Sequence, residues 1–142
     1  MELGTFGAIL SFALEFEEGL NKFFAAAAEK ASGQTAEVFG DLAKAGNKRL
    51  KALERTRREN VAEMILEPIT GFCSEDYPCE ATVPAGADSA TLVEQAIKLE
   101  KTAVQYYTTA SQKVTVPEVA RILRKMAGQH SEQLEALEDL AR

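Results

Sequence analysis

Tryptophan is absent from this chain, histidine occurs once and cysteine twice. Cys73 and Cys79 are too few for a disulfide framework and lack the paired CxxC knuckles of a structural zinc site. Their spacing allows a disulfide or a reactive pair, but the nearby Glu75, Asp76 and Glu80 disfavour thiolates, so two ordinary loop thiols are expected. No apolar run reaches the ~18 residues of a membrane span. The most apolar stretch, "FGAILSFALEF", is interrupted by Ser11 and Glu15 and followed by Glu17 and Glu18. The opening "MELG" has no basic segment of the kind that begins a secretory signal. Positive charge is also short, with 16 Lys and Arg against 22 Asp and Glu and a net charge of −6. Phosphate binding along a nucleic acid needs a basic face, so the expectation is a cytoplasmic protein with neither nucleic acid nor membrane as partner. There is no Ser/His/Asp arrangement, phosphate-cradling glycine loop or dinucleotide fingerprint.

Proline is scarce, and its placement divides the chain. Pro68, Pro78 and Pro84 fall in "EPITGFCSEDYPCEATVPAGADSA", and Pro117 stands alone. Four long segments without interior proline remain, each with helical period. The first runs from about Thr5, a suitable N-cap, to Ala31, with Phe6, Ile9, Leu10, Ala13, Phe16, Leu20, Phe23, Phe24 and Ala27 at spacings of three and four. Gly33 is expected to stop it. The second begins near Thr35 and continues through Leu42, Arg49 and Leu53 into "RRENVAEMIL". The third and fourth run from about Ser89 to Lys113 and from Pro117 to Ala141, with Pro117 at the first helical position and Thr115 near the cap. A chain of 142 residues suits one domain, spanning 1–142, that buries roughly two thirds of its unfolded surface. Short loop, long crossover at about 67–89 and short loop together describe a four-helix bundle. The expected fold is all-α.

The chain also repeats itself. "ALEFEEGLNKFFAAA" aligns with "AIKLEKTAVQYYTTA", matching Ala13 with Ala96, Glu17 with Glu100 and Phe24 with Tyr107 at an offset of 83. "EVFGDLAKAGNKRLKALE" aligns with "EVARILRKMAGQHSEQLE", matching Arg49 with His130 and Leu53 with Leu134 at an offset of 81. Glu17 lies among Ala13, Leu20 and Phe24, and Glu100 among Ala96, Leu99, Ala103 and Tyr107. Arg49 lies between Leu42, Ala45 and Leu53, and His130 between Leu123, Met126, Leu134 and Leu137. Every helix therefore turns one ionisable group toward the core. Buried charges are costly unless paired or bound to metal, so the four are expected to meet.

Glu-x6-Tyr on one helix and Glu-x-x-His on the next, given twice around a long crossover, is a pattern this chain resembles over nearly its whole length. It is that of the rubrerythrin branch of the ferritin-like di-iron carboxylate proteins. The resemblance implies a ferritin-like bundle in which each first-helix glutamate is a terminal metal ligand. Each Glu-x-x-His would add a bridging carboxylate and an imidazole, and the cluster would reduce peroxide or oxidise ferrous iron. On that pattern Glu17 and Glu100 match the terminal carboxylates, and Tyr107 matches a tyrosine that hydrogen-bonds just outside the ligands. Phe24 stands where the second tyrosine would be and cannot donate. The two Glu-x-x-His positions read Gly46-x-x-Arg49 and Ala127-x-x-His130, so both bridging carboxylates and one histidine are missing. A rubredoxin-like CxxC module is missing as well.

Two functional readings follow. In the first, the chain is a non-catalytic binding or assembly module without cofactor, with Arg49 paired to Glu17 and His130 to Glu100 in place of metals. Phe12 and Leu14 lie off the main stripe of the first helix, and this reading uses them for homodimerisation through an apolar face. In the second, Glu17, Glu100 and His130 hold one iron or other divalent metal for redox or iron-handling chemistry. The fixed cation of Arg49 weighs against the second.

Overall fold

The computed structural model describes residues 1–60 and 69–142. Four long helices carry the fold: α1 (Phe6–Lys30), α2 (Gly33–Glu59), α3 (Ser89–Lys113) and α4 (Pro117–Ala141). Among the described residues there is no strand, only an isolated bridge between Glu2 and Cys73. The molecule is an all-α four-helix bundle in which α1 packs chiefly on α2, and α3 chiefly on α4. It is thus built as two hairpins.

Helix ends follow local chemistry, with two departures from the sequence expectation. Thr5 caps α1 by accepting a hydrogen bond from the Ala8 amide at 3.1 Å, and Asp88 caps α3 by accepting from the Thr91 amide at 2.9 Å. Gly33 does not end α1. The helix closes at Ala31, whose amide returns to the Ala27 carbonyl at 2.8 Å, and Gly33 begins α2 with φ +59. The turn needs only Ala31 and Ser32 because glycine takes the left-handed conformation at no steric cost. Thr115 is not the cap of α4. Val116 occupies that position without a side-chain hydrogen bond, and Pro117 at the first helical position supplies the start. α2 ends at Glu59 with Asn60 as its C-cap, and the expected continuation into 61–66 lies outside the described residues.

The second half of the connection lies along the bundle. Leu3 donates to the Phe72 carbonyl at 2.7 Å and Ile69 to that of Gly4 at 2.8 Å, fastening the chain start to the connection. Phe72, 1% exposed, stacks on Tyr106 with ring centroids 5.4 Å apart. The Gln95 side-chain amide donates to the carbonyls of Glu80 and Thr82 at 3.0 and 2.9 Å, holding the connection to α3. Cys73 and Cys79 are both free, and Cys79 packs against α1 beside Gly19. Its thiol is pushed up to about 11, first by burial and then by the charge of Glu17 rather than by the loop carboxylates.

The apolar arc of α1 is broad because the helix is covered on more than one side. Leu14 is 8% exposed, and Phe12 is half-buried against Phe16 and Tyr106, with ring centroids at 6.2 and 5.0 Å. Among the described residues Met1 is the one large hydrophobic side chain that is well exposed. The apolar face expected to carry a homodimer is therefore core.

Candidate functional site

Each helix contributes one ionisable side chain to a single buried cluster: Glu17 from α1, Arg49 from α2, Glu100 from α3 and His130 from α4. Arg49 is 3% exposed and the other three are 0% exposed. Along α1, Glu17 follows the Phe12 and Phe16 aromatics and precedes Phe23 and Phe24, which pack with Phe39. The charges therefore sit in an apolar setting, where each unpaired group would be expensive.

Pairing is extensive. The Arg49 Nε donates to Glu17 Oε2 at 3.2 Å. His130 lies between the two carboxylates, with Nδ1 at 2.8 Å from Glu100 Oε2 and Nε2 at 2.5 Å from Glu17 Oε1. The Tyr107 hydroxyl donates to Glu17 Oε1 at 2.9 Å, and the Gln133 amide donates to Glu100 Oε1 at 2.9 Å. Every carboxylate oxygen of the pair thus has a protein donor. The Tyr107 ring also stacks on the imidazole, with centroids 5.3 Å apart and planes 11° apart.

The protonation of the cluster follows from this geometry. A neutral imidazole would turn a lone pair toward one carboxylate, so only the doubly protonated ring makes both contacts hydrogen bonds. Burial opposes the charge on His130 and is the largest influence. The charge of Glu17, the hydrogen bonds that the ring donates to both carboxylates and the charge of Glu100 outweigh it and raise the group to about 9. Burial also works against ionised Glu17, yet the charge and hydrogen bond of His130, the charge of Arg49 and the Tyr107 hydroxyl hold it below its ordinary range. Burial and the Glu17 charge push the Tyr107 phenol well above its usual value, so it remains a donor.

Three contributors escaped the sequence reading. Gln133 supplies Glu100 with the donor that Phe24 cannot supply, and Gln129 accepts from Arg49 Nη1 at 3.4 Å. Gln133 was legible in principle: it stands seven residues after Met126 and four before Leu137, on the apolar stripe, where it is buried and Leu134 is half-buried. The third is Asn21, and its signal is steric. A Cβ added at Gly46 would lie 1.7 Å from Asn21 Oδ1, so the side chain of Asn21 fills the space in front of Gly46 and donates to Asn47 Oδ1 at 2.9 Å.

Gly46→Ala therefore has an unusual expected effect. In a helix interior this change normally stabilises by about 0.5–1 kcal/mol. Here the Asn21 amide must move and lose its hydrogen bond to Asn47, which should cancel or slightly reverse that gain. Urea unfolding of Gly46→Ala, Asn21→Ala and the double variant checks this, because the double variant should recover the ordinary gain.

The fold invites comparison with metal-bearing bundles, in which the donor set would have to hold the ions. Two bridging positions hold Gly46 and Ala127, a guanidinium occupies the interior, and the two imidazole nitrogens point at different carboxylates. Among the described residues no three His, Cys, Asp or Glu side chains are gathered to hold one ion. These residues do not fit a di-iron centre, which needs several bridging oxygen donors around two cations.

Comparison with known proteins agrees with the fold. Residues 7–142 match the family model described as a ferritin-like domain. No curated protein matches the chain by sequence. Among solved structures, the chain is similar to a dodecameric thioferritin, the bacterioferritin-related protein of Bacteroides fragilis. That match has a TM-score of 0.71 and 16% identity and covers 92% of this chain and 80% of the other. It is similar also to a hypothetical protein of Pyrococcus furiosus, with a TM-score of 0.74, 20% identity and coverage of 94% and 85%.

Proposed function

The chain belongs to the ferritin-like domain family, and on that premise we propose that it is a rubrerythrin-like member whose interior ionic centre takes the place of metals. It serves as a binding or assembly module and performs no oxidoreductase chemistry. The observation that carries this reading is the position of His130, held through both nitrogens between Glu17 and Glu100 while Arg49 takes the remaining oxygen of Glu17. Two cations and two anions balance in a water-poor site, and a divalent metal would have to displace a guanidinium and a protonated imidazole to enter. Assembly belongs to the same reading, since a neighbour of this fold is dodecameric. The contact would use polar surface, because the apolar arc of α1 is covered.

Elemental analysis of protein purified without chelator or affinity metal tests the proposal. Well under one metal ion per chain is expected, with no gain after incubation with ferrous iron. The competing assignment, one ion on Glu17, Glu100 and His130, predicts stoichiometric metal that His130→Ala removes. Finding that pattern would overturn the proposal.

A further inference from the structure

Along the outer side of the ionic centre, α2 and α4 enclose a groove of about 490 Å³. Its lining is cationic in a chain of net charge −6: Lys48, Arg49 and Arg55 come from α2, and Arg121 and Lys125 from α4. Glu59 and Glu118 are the opposing carboxylates. Among the described residues none of Lys48, Arg55, Arg121 and Lys125 takes part in an ion pair. Glu59 and Glu118 offset only part of this positive charge, and like charges repel one another, so an external anion would relieve the cluster.

Arg49, itself buried, is among the residues that line the groove. Arg49 directs Nε to Glu17 and Nη1 to Gln129, while its buried Nη2 has no hydrogen-bond partner among the described residues. A buried donor left unmet is costly, and Arg49 lines this groove with Gln129 beside it. The volume suits a small molecule. Cations stand on both walls, which fits an anion that presents oxygens in several directions, as a phosphate chain does and a single planar carboxylate does not.

We propose that the α2–α4 groove binds a compact polyphosphate anion, free or carried on a small organic group, held by the cations of both walls with Arg49 at its inner edge. This names the ligand class of the binding module proposed above and rests on that reading, since Arg49 must remain in the interior.

The test is calorimetric titration of the metal-free full chain with inorganic pyrophosphate and with a nucleoside diphosphate at low salt, alongside NMR of the Arg49 guanidinium. Saturable one-to-one binding by either ligand is expected, and the tighter one identifies the source of the phosphates. Arg121→Glu/Lys125→Glu should weaken binding at least about tenfold, whereas the equal charge change Lys22→Glu/Lys101→Glu on other surfaces should leave it within about twofold. All four side chains are exposed, and circular dichroism checks that both variants fold. The Arg49 signal should move on saturation. Equal loss in both double variants, an unmoved Arg49 signal or no saturable binding would overturn the proposal. Its failure leaves the metal analysis untouched, and a metal-bearing protein would sink the earlier reading whatever pyrophosphate does.

Discussion

Glu17→Ala is expected to destabilise the protein by about 3–5 kcal/mol, the range for removing one partner of a buried ion pair. The cost comes from what remains. Arg49 loses the acceptor of its Nε, His130 loses the carboxylate at 2.5 Å, and the Tyr107 hydroxyl loses its acceptor, all in a site closed to water. The neighbouring Glu18 is exposed, so Glu18→Ala should change stability by no more than about 0.5 kcal/mol. Urea unfolding of the two variants at pH 6 gives the comparison. Equal stabilities would show that Glu17 is not the hub of the centre. Removing Glu17 should also lower the Cys79 pKa from about 11, because the carboxylate contributes to its elevation after burial. Thiol reactivity at alkaline pH reads that change independently.

Alkali should weaken the bundle from its interior before the surface lysines titrate. His130 is raised from 6.5 to about 9 in the folded protein, so its contribution is fully present below pH 6.5 and is lost as pH rises through 9. The shift corresponds to about 3 kcal/mol of stability, withdrawn over that window. Glu17 behaves oppositely: its folded value lies below 4.5, so its contribution is present above that pH and fails as acid approaches the lowered value. Stability should therefore form a plateau between these limits and slope away on the alkaline side well before lysines titrate. Urea unfolding from pH 5.5 to 9.5 measures the slope, and His130→Gln should flatten it. Nitrogen NMR of the imidazole gives a check on the native chain, since both ring nitrogens should carry protons at pH 7. A neutral tautomer there would refute the assignment.

Period and proline placement made the helices legible, because a core-facing stripe and a residue that cannot donate a backbone hydrogen bond act locally. The bounds of α3 and α4, Ser89 to Lys113 and Pro117 to Ala141, were read in this way. Gly33 was misplaced because a left-handed glycine serves equally well after one helix or before the next, and only the turn geometry decides. The meeting of Glu17, Arg49, Glu100 and His130 was readable from the duplicated stripes. The partners within the cluster were not. Pairing within each hairpin suggested His130 with Glu100 alone, yet the imidazole also reaches across to Glu17 on α1. Such a contact depends on how closely two hairpins approach, a quantity that neither repeat contains. Gln129 and Asn21 escaped for a related reason, since half-buried polar side chains look like ordinary surface until their neighbours are placed.

Asn21 makes the route between this bundle and a metal-bearing one depend on the order of substitution. A glutamate introduced at position 46 would meet the Asn21 amide in the space where its first side-chain carbon must go. Alone it would have to displace that amide from Asn47, and it would be accommodated more readily once position 21 had become small. Arg49 imposes the same condition, because added carboxylates have no cations to hold while the guanidinium stays paired with Glu17. Single substitutions of this kind are thus each disfavoured although their combination need not be. The effect of a carboxylate at position 46 therefore depends on its neighbours on α1 and α2 rather than on the strength of any one contact.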